Sequence, residues 1–314
     1  MPPETLIIAD TRESSMRTLS AEIRERVPDI DLTVARTPPE SRELIESAEI
    51  ALGFSLPDGA LERAEELAWL QALSAGVDRY DFDALEARDV ALTTASGVHS
   101  EPIAEQVLGY LLAFERRFPR AFAQRERNVW EAYSGGELRG KTVCVVGLGA
   151  IGGRIAELCS ALGCTVTGTK RTPEDAPAAV DDARAPDALH ELLPDADHVV
   201  AACPLTDDTR GLFDAEAFVS MRTSATFTNI ARGAVADEAA LTEALQERDI
   251  RGAALDVFAE EPLPEESPLW DLSNVIVTPH MAGSTPEYWS RCADLFARNY
   301  RAYMAGEALE NRVI

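Results

Sequence analysis

The chain has 314 residues, 46% of them hydrophobic, enough for two ordinary domains with sizeable cores and too apolar for a disordered protein. Its 54 acidic against 29 basic residues give a net charge of −25, which sets nucleic acid aside as a partner. No apolar run approaches a membrane span and the Met1-Pro2-Pro3-Glu4 start carries no basic leader, so a soluble, cytoplasmic protein with no membrane partner is expected.

Residues 6–9, 31–34, 49–52 and 68–73 read as strands, and 15–27, 39–47 and 58–66 as helices, which predicts a small α/β layer with parallel connections. A helical pattern then runs from 100 to about 118, with Ile103, Val107, Leu108, Leu111 and Leu112 on one face. Strand-like runs follow at 142–146, 165–168, 196–202, 225–230, 252–257 and 275–278, with a helix at 154–162 and a closing helix at about 286–304. This alternation predicts an α/β protein with two doubly wound parallel-sheet domains.

The β-branched run Thr142-Val143-Cys144-Val145-Val146 leads into Gly147-Leu148-Gly149-Ala150-Ile151-Gly152 and then into a helix. Strand, glycine turn and helix in that order form the dinucleotide-binding fingerprint. Gly147 permits the turn, Gly149 lets backbone approach a pyrophosphate, and Gly152 lets the helix lie close to the strand. The helix start then offers N–H groups and partial positive charge to the phosphates.

Three residues lie just beyond strand ends: Arg232 in Asn229-Ile230-Ala231-Arg232-Gly233, Glu261 in Glu260-Glu261-Pro262, and His280 in Thr278-Pro279-His280. A cation, a carboxylate and an imidazole at the mouth of a nucleotide-binding sheet suit hydride transfer to a 2-oxo acid. Arg232 can fork onto the substrate's carboxylate and carbonyl oxygens. His280 can protonate the nascent alkoxide, and Glu261 beside it would favour the imidazolium. Singly, each also reads as an ordinary ion pair, surface acid or loop histidine. His99, His190 and His198 read as structural or solvated. The five cysteines form no CxxC pair and read as buried free thiols, with no metal site.

These segments, together with Ser74-Ala75-Gly76-Val77-Asp78, Pro204-Leu205-Thr206, Thr209-Arg210-Gly211 and Asp256-Val257-Phe258, resemble the D-isomer-specific 2-hydroxyacid dehydrogenase family over nearly the whole chain. The resemblance implies Arg232, Glu261 and His280 as the catalytic set, and Ser74, Ala75 and Gly76 as substrate-binding partners of Arg232 and His280, with the Ala75 and Gly76 amides on the substrate carboxylate. Asp256 would orient the nicotinamide carboxamide. The implied cofactor contacts are Gly147, Gly149, Ala150, Ile151, Gly152, Lys170, Arg171, Thr172, Cys203, Pro204, Thr209, Ile230, Ala231, Arg232, Asp256, His280 and Gly283. The implied architecture is a Rossmann cofactor domain (99–286) inserted into a flavodoxin-like substrate domain (1–98 and 287–314). A homodimer through the cofactor domain is also implied, and residues 116–133, with Phe118, Phe122 and Trp130, are the candidate arm.

NAD-specific folds carry an acid about 20 residues past the fingerprint, at the end of the second strand. Here that strand runs into Thr169-Lys170-Arg171-Thr172, and Lys170 is one of only two lysines, the other being Lys141. Two cations and no acid suit a 2′-phosphate, which predicts NADP(H) preferred over NAD(H). The lysine-poor acidic composition also resembles haloarchaeal proteins, whose carboxylates stop repelling one another when molar salt shortens the Debye length to about 3 Å. The expected activity is NADPH-dependent, reversible reduction of 2-oxo acids to D-2-hydroxy acids, with glyoxylate or hydroxypyruvate reduction as one form of it. Phosphoglycerate dehydrogenase is a less favoured form, and a formate dehydrogenase would carry glutamine in place of Glu261. A dinucleotide-sensing binding protein of corepressor type is the alternative outside enzymes.

Overall fold

The computed structural model describes residues 2–8, 13–76 and 80–314; Ala9 of the first expected strand and Val77 and Asp78 of the quoted motif lie outside the described residues. The chain divides into two compact units, one formed by 1–99 and 285–314, the other by 100–284.

The first unit runs β1 (Glu4–Ile7), α1 (Glu13–Arg26), β2 (Asp31–Val34), α2 (Pro38–Leu44), β3 (Ile50–Gly53), α3 (Ala60–Arg63), β4 (Trp69–Ala72), α4 (Phe82–Glu86) and β5 (Ala91–Thr93). Its sheet is parallel in the order β2-β1-β3-β4-β5, the flavodoxin-like arrangement. Side chains alternate across it, as the two-residue strand period requires. Ile7, Ile50, Leu52 and Trp69 enter one core, whereas Leu6, Ala51, Leu70 and Ala72 enter the other. The first of these cores is completed from far along the chain by the final helix, Tyr288–Ala305, whose Cys292, Leu295, Phe296 and Tyr300 join Leu19, Ile23 and Trp69. Trp69 stacks on Phe296 with centroids 5.3 Å apart, and its Nε1 donates to Thr93 Oγ1 at 2.8 Å. The segment after that helix pairs with β5, where Val313 N–H donates to the Leu92 carbonyl at 2.8 Å.

The second unit opens with α5 (Ser100–Glu115) and α6 (Phe118–Glu126), then alternates β6 (Thr142–Val146), α7 (Ala150–Ala161), β7 (Thr165–Thr169), β8 (Asp182–Arg184), α8 (Leu189–Leu192), β9 (His198–Ala201), α9 (Ala215–Ser220), β10 (Thr226–Asn229), α10 (Glu238–Gln246), β11 (Gly252–Leu255) and β12 (Val275–Val277). The closing helix of the first unit is α11. Seven parallel strands lie in the order β12-β11-β10-β9-β6-β7-β8, so strand order reverses between β6 and β9. Successive residues of β6 again feed opposite cores, Cys144 and Val146 one, Val143 and Val145 the other. Both faces are covered, which is why these strands read as continuous apolar runs.

The differences from the expected elements have local causes. β5, α4 and β8 were not expected: two have only three residues, too few for a period, and β8 is Asp182-Ala183-Arg184. The helix expected at 58–66 shrinks to α3, entered through a left-handed Gly59. The helix at 154–162 begins earlier, at Ala150, because the last three residues of the fingerprint, Ala150-Ile151-Gly152, already lie in its first turn and Gly149 is its N-cap. The helix expected to reach about 118 stops at Glu115, where Arg117 adopts φ 56° before α6 starts. Its buried face is also rotated: Tyr110 and Phe114 are buried, whereas Leu112 is exposed. No helix among the described residues is long and apolar enough to cross a membrane.

Candidate active site

Register assembles the site within the second unit. Asn229 lies opposite Leu255, and Leu255 opposite Val277, so residues 230–232, 256–261 and 278–280 leave the sheet at the same edge. Val146 is level with both Thr169 and Ala201, so Gly147, Lys170 and Ala202 emerge at that edge as well. It is the carboxyl edge beside the strand-order reversal, where open α/β sheets take ligands.

A cleft of about 570 Å³ opens there. Of the expected cofactor residues, Gly147, Gly149, Lys170, Arg171, Thr172, Cys203, Pro204 and Thr209 line it. The glycine turn is sterically demanding. Gly147 has φ 101°, and a Cβ there would stand 2.6 Å from the Cys203 backbone; one at Gly152 would stand 2.1 Å from the Gly147 carbonyl oxygen. Gly149 caps α7 with no side-chain hydrogen bond, and a Cβ on it would meet nothing within 4 Å. The helix start therefore presents bare amides to open space, a fit for the pyrophosphate of a dinucleotide. Thr209 Oγ1 donates to the Pro204 carbonyl at 2.7 Å and accepts from Thr206 N–H at 2.7 Å, fixing the far wall. Asp175, Pro186, Thr206, Asp208 and Leu212 also line the cleft and were not in the expected set. Thr206 stood in a quoted motif; the other four carried no local signal.

Lys170 and Arg171 behave differently. The Lys170 ammonium folds back and donates to the Leu148 carbonyl at 2.9 Å, tying the end of β7 to the glycine turn, whereas Arg171 is exposed.

His280 Nδ1 and Glu261 Oε2 are 2.7 Å apart. A carboxylate only accepts, so Nδ1 carries the proton and Nε2 is left for a reacting group. The other Glu261 oxygen accepts from Phe258 N–H at 3.0 Å. Burial opposes ionisation of Glu261, but the His280 hydrogen bond, the Phe258 amide and the nearby Arg232 charge together hold its pKa below the usual range. Arg232 follows a turn pinned by Asn229, whose Oδ1 accepts from Ala231 N–H and whose Nδ2 donates to the Arg232 carbonyl, both at 3.0 Å. Its guanidinium rests on the Ala231 carbonyl at 2.7 Å.

Asp256 is buried, and both its oxygens accept from the segment bearing His280: Thr278 Oγ1 at 2.5 Å, Met281 N–H at 3.0 Å and Ala282 N–H at 2.9 Å. In the first unit, Ser74 Oγ donates to the Gly76 carbonyl at 2.6 Å and Ala75 is exposed.

His190 is exposed on α8, and His99 stacks on Tyr288 with centroids 4.8 Å apart. His198, fully buried at the opposite end of β9, has Nδ1 2.7 Å from Thr226 Oγ1 and Nε2 3.3 Å from Glu115 Oε1. Arg251 donates to the same Glu115 oxygen at 2.7 Å. Burial works against the Glu115 carboxylate, yet the adjoining His198 ring and the Arg251 hydrogen bond bring its pKa down to about 2, while burial lowers that of His198. All five cysteines are buried and free, and burial pushes Cys144 and Cys292 up to about 12. No metal-holding cluster is present among the described residues.

The chain is similar to known proteins. The sequence model described as "D-isomer specific 2-hydroxyacid dehydrogenase, NAD binding domain" matches residues 108–282. A D-3-phosphoglycerate dehydrogenase of Methanocaldococcus jannaschii is 34% identical over 93% of this chain but only 56% of its own length, so the chain spans just over half of that relative. A glyoxylate/hydroxypyruvate reductase B of Escherichia fergusonii is 35% identical over 88% of each chain. The crystal structure of a D-isomer specific 2-hydroxyacid dehydrogenase from Xanthobacter autotrophicus Py2, in complex with NADPH and MES, superposes with a TM-score of 0.86 at 32% identity, covering 100% of this chain and 98% of that one.

Proposed function

The chain belongs to the D-isomer specific 2-hydroxyacid dehydrogenase family, and from that premise we propose that it reduces 2-oxo acids to D-2-hydroxy acids with NADPH, reversibly. The observation that carries the reading is the His280–Glu261 pair, 2.7 Å apart and at the same sheet edge as Arg232 and the glycine turn. When bound, a reduced nicotinamide supplies hydride to the substrate's C2. The amides at the start of α7 and the Gly147 turn would hold the dinucleotide's pyrophosphate. Arg232 forks onto the substrate's carboxylate and carbonyl oxygens and favours negative charge building on the latter. The His280 imidazolium gives its Nε2 proton to the nascent alkoxide, and ionised Glu261 keeps the ring oriented with Nδ1 protonated. In the oxidative direction the same nitrogen takes the proton back. The substrate-carboxylate role of Ser74, Ala75 and Gly76 and the carboxamide role of Asp256 are part of this proposal.

The NADP(H) preference is supported by Lys170 and Arg171 at the tip of β7, where the strand end carries no acid. A homodimer is supported by the arm: none of α6 is buried, Phe118 and Phe122 are exposed, and Trp130 is 100% exposed. A salt-loaded cytoplasm as the working environment is supported by the net charge of −25 and the two lysines. Among family activities, glyoxylate or hydroxypyruvate reduction has the support of a relative matched over 88% of both lengths.

The test is oxidation of NADPH, followed by absorbance, with 2-oxo acids graded by side-chain length. Turnover that falls roughly 10²–10⁴-fold in His280→Ala is expected. Tight nucleotide binding with no turnover of any acid would replace this reading with that of a dinucleotide-sensing binding protein.

A further inference from the structure

His280 occupies a backbone conformation that few side chains other than glycine adopt, with φ 49°. Something must hold it there, and the surrounding bonds show what does. Its own N–H is shared between the Asp256 carbonyl at 2.9 Å and the Thr278 carbonyl at 3.0 Å. The Asp256 carboxylate, 2% exposed, gathers the next two amides, Met281 and Ala282, and the Thr278 hydroxyl from the other side. One buried carboxylate therefore clamps the segment on both sides of the imidazole.

The clamp has a second layer. Because a carboxylate only accepts, Thr278 spends its hydroxyl proton on Asp256 and leaves its oxygen as an acceptor. That oxygen lies 2.5 Å from the phenol oxygen of Tyr110, which reaches across from α5 and is itself 4% exposed. The hydrogen bonds thus run in one sense, Tyr110 to Thr278 to Asp256, each polarising the next. Burial, with the Asp256 charge adding to it and opposed by the hydrogen bonds Tyr110 shares with Thr278 and Gln106, moves the phenol pKa above its ordinary value, so Tyr110 stays a donor.

We propose that Tyr110 and Thr278 are positioning residues that act through the Asp256 carboxylate to hold the His280 segment in its productive conformation. This rests on His280 being the acid of the proposed reduction, and it adds Tyr110, which no local motif singles out, and Thr278, whose place beside His280 in the sequence gave it no role. A tyrosine on the apolar face of a helix could equally have been core filling; its hydroxyl ending on the carboxylate that gathers the His280 segment distinguishes it.

The experiment is a double-mutant cycle on the full chain, using Tyr110→Phe, Thr278→Val and both together, with Thr278→Ser as the conservative control. A misplacement on the scale of an ångström costs up to about 10²-fold in rate. Accordingly kcat is expected to fall roughly 10-fold or more in Thr278→Val and several-fold in Tyr110→Phe, with KM and thermal midpoint little changed. Thr278→Ser keeps wild-type kcat. The double variant is no slower than Thr278→Val, since Tyr110 works through that hydroxyl. In parallel, hydrogen exchange at the Met281 and Ala282 amides should speed up in Thr278→Val while the core strands stay protected. Unchanged kcat in Thr278→Val, independent additive losses, or losses matched by global destabilisation would overturn the proposal. If the unaltered protein turns over no 2-oxo acid, the dehydrogenase reading fails by itself. The exchange measurement still decides the clamp, which unchanged protection at Met281 and Ala282 would sink.

Discussion

Replacing Glu115 by glutamine tests the buried charge cluster at the base of the second unit. Glu115 is 3% exposed and holds both the buried His198 ring and the Arg251 guanidinium. Glutamine keeps the volume and removes the charge, which leaves Arg251 without its counter-ion. Breaking a fully buried pair costs about 3–5 kcal/mol. The Arg251 side chain is 35% exposed, so water screens part of that loss and about 2–3 kcal/mol is the better expectation. At about 2–4 °C per kcal/mol for a domain of this size, the thermal midpoint near neutral pH should drop by roughly 5–10 °C. The pH dependence gives a second reading. The carboxyl falls from 4.5 to about 2 on folding, worth about 3 kcal/mol. A depressed carboxylate contributes stability that is complete above its unfolded pKa and lost as the pH falls through its folded one, here from 4.5 down to about 2. His198, also depressed, begins to withdraw stability as the pH drops below 6.5, because the unfolded ring takes up a proton first. Melts followed by circular dichroism at fixed high ionic strength should therefore show a shallower acid slope in Glu115→Gln than in the unaltered protein. A midpoint within about 2 °C of wild type near neutral pH, with an unchanged acid slope, would refute the cluster as a stabilising element.

Other predictions bear on the cofactor cleft and the surface. Lys170→Ala combined with Arg171→Ala should raise KM for NADPH about 10–100-fold and leave NADH within a few-fold, since charge-assisted bonds to a 2′-phosphate are lost; equal effects on both would overturn the preference. Gly152→Ala should abolish dinucleotide binding, measured by fluorescence quenching, and lower the thermal midpoint, because its Cβ would sit 2.1 Å from the Gly147 carbonyl oxygen. Molar potassium chloride should raise both the thermal midpoint and activity by screening the excess carboxylates, and undiminished stability in dilute buffer would remove the halophilic reading.

Where local pattern decides structure, the chain could be read residue by residue. Asp31–Val34 and Thr142–Val146 begin and end as expected, because both are runs of β-branched and apolar residues. The glycine spacing fixed the turn and its place at the sheet edge. Less legible were features set by distant partners. His198 reads as structural or solvated, but nothing nearby announces that Glu115 and Arg251 will meet it. Lys170 read as a phosphate ligand by its charge, whereas its hydrogen bond to the Leu148 carbonyl depends on the fold of the turn. On α5, Ile103, Val107 and Leu111 are buried as expected, whereas Leu112 is exposed and the aromatic Tyr110 and Phe114 complete the face. Tyr110 belongs to that face, and its hydroxyl is tolerated because Thr278 meets it.

The two-ended construction of the first unit has a consequence for how the protein is made. Its β1–β5 sheet leaves the ribosome early, but Phe296, Tyr300 and the strand-like pairing of Val313 arrive only after all of residues 100–284 have been translated. Trp69 must wait for its stacking partner while the inserted unit is already free to fold. A nascent chain paused before residue 285 would hold a finished nucleotide-binding body beside an open apolar sheet, the form most in need of a chaperone.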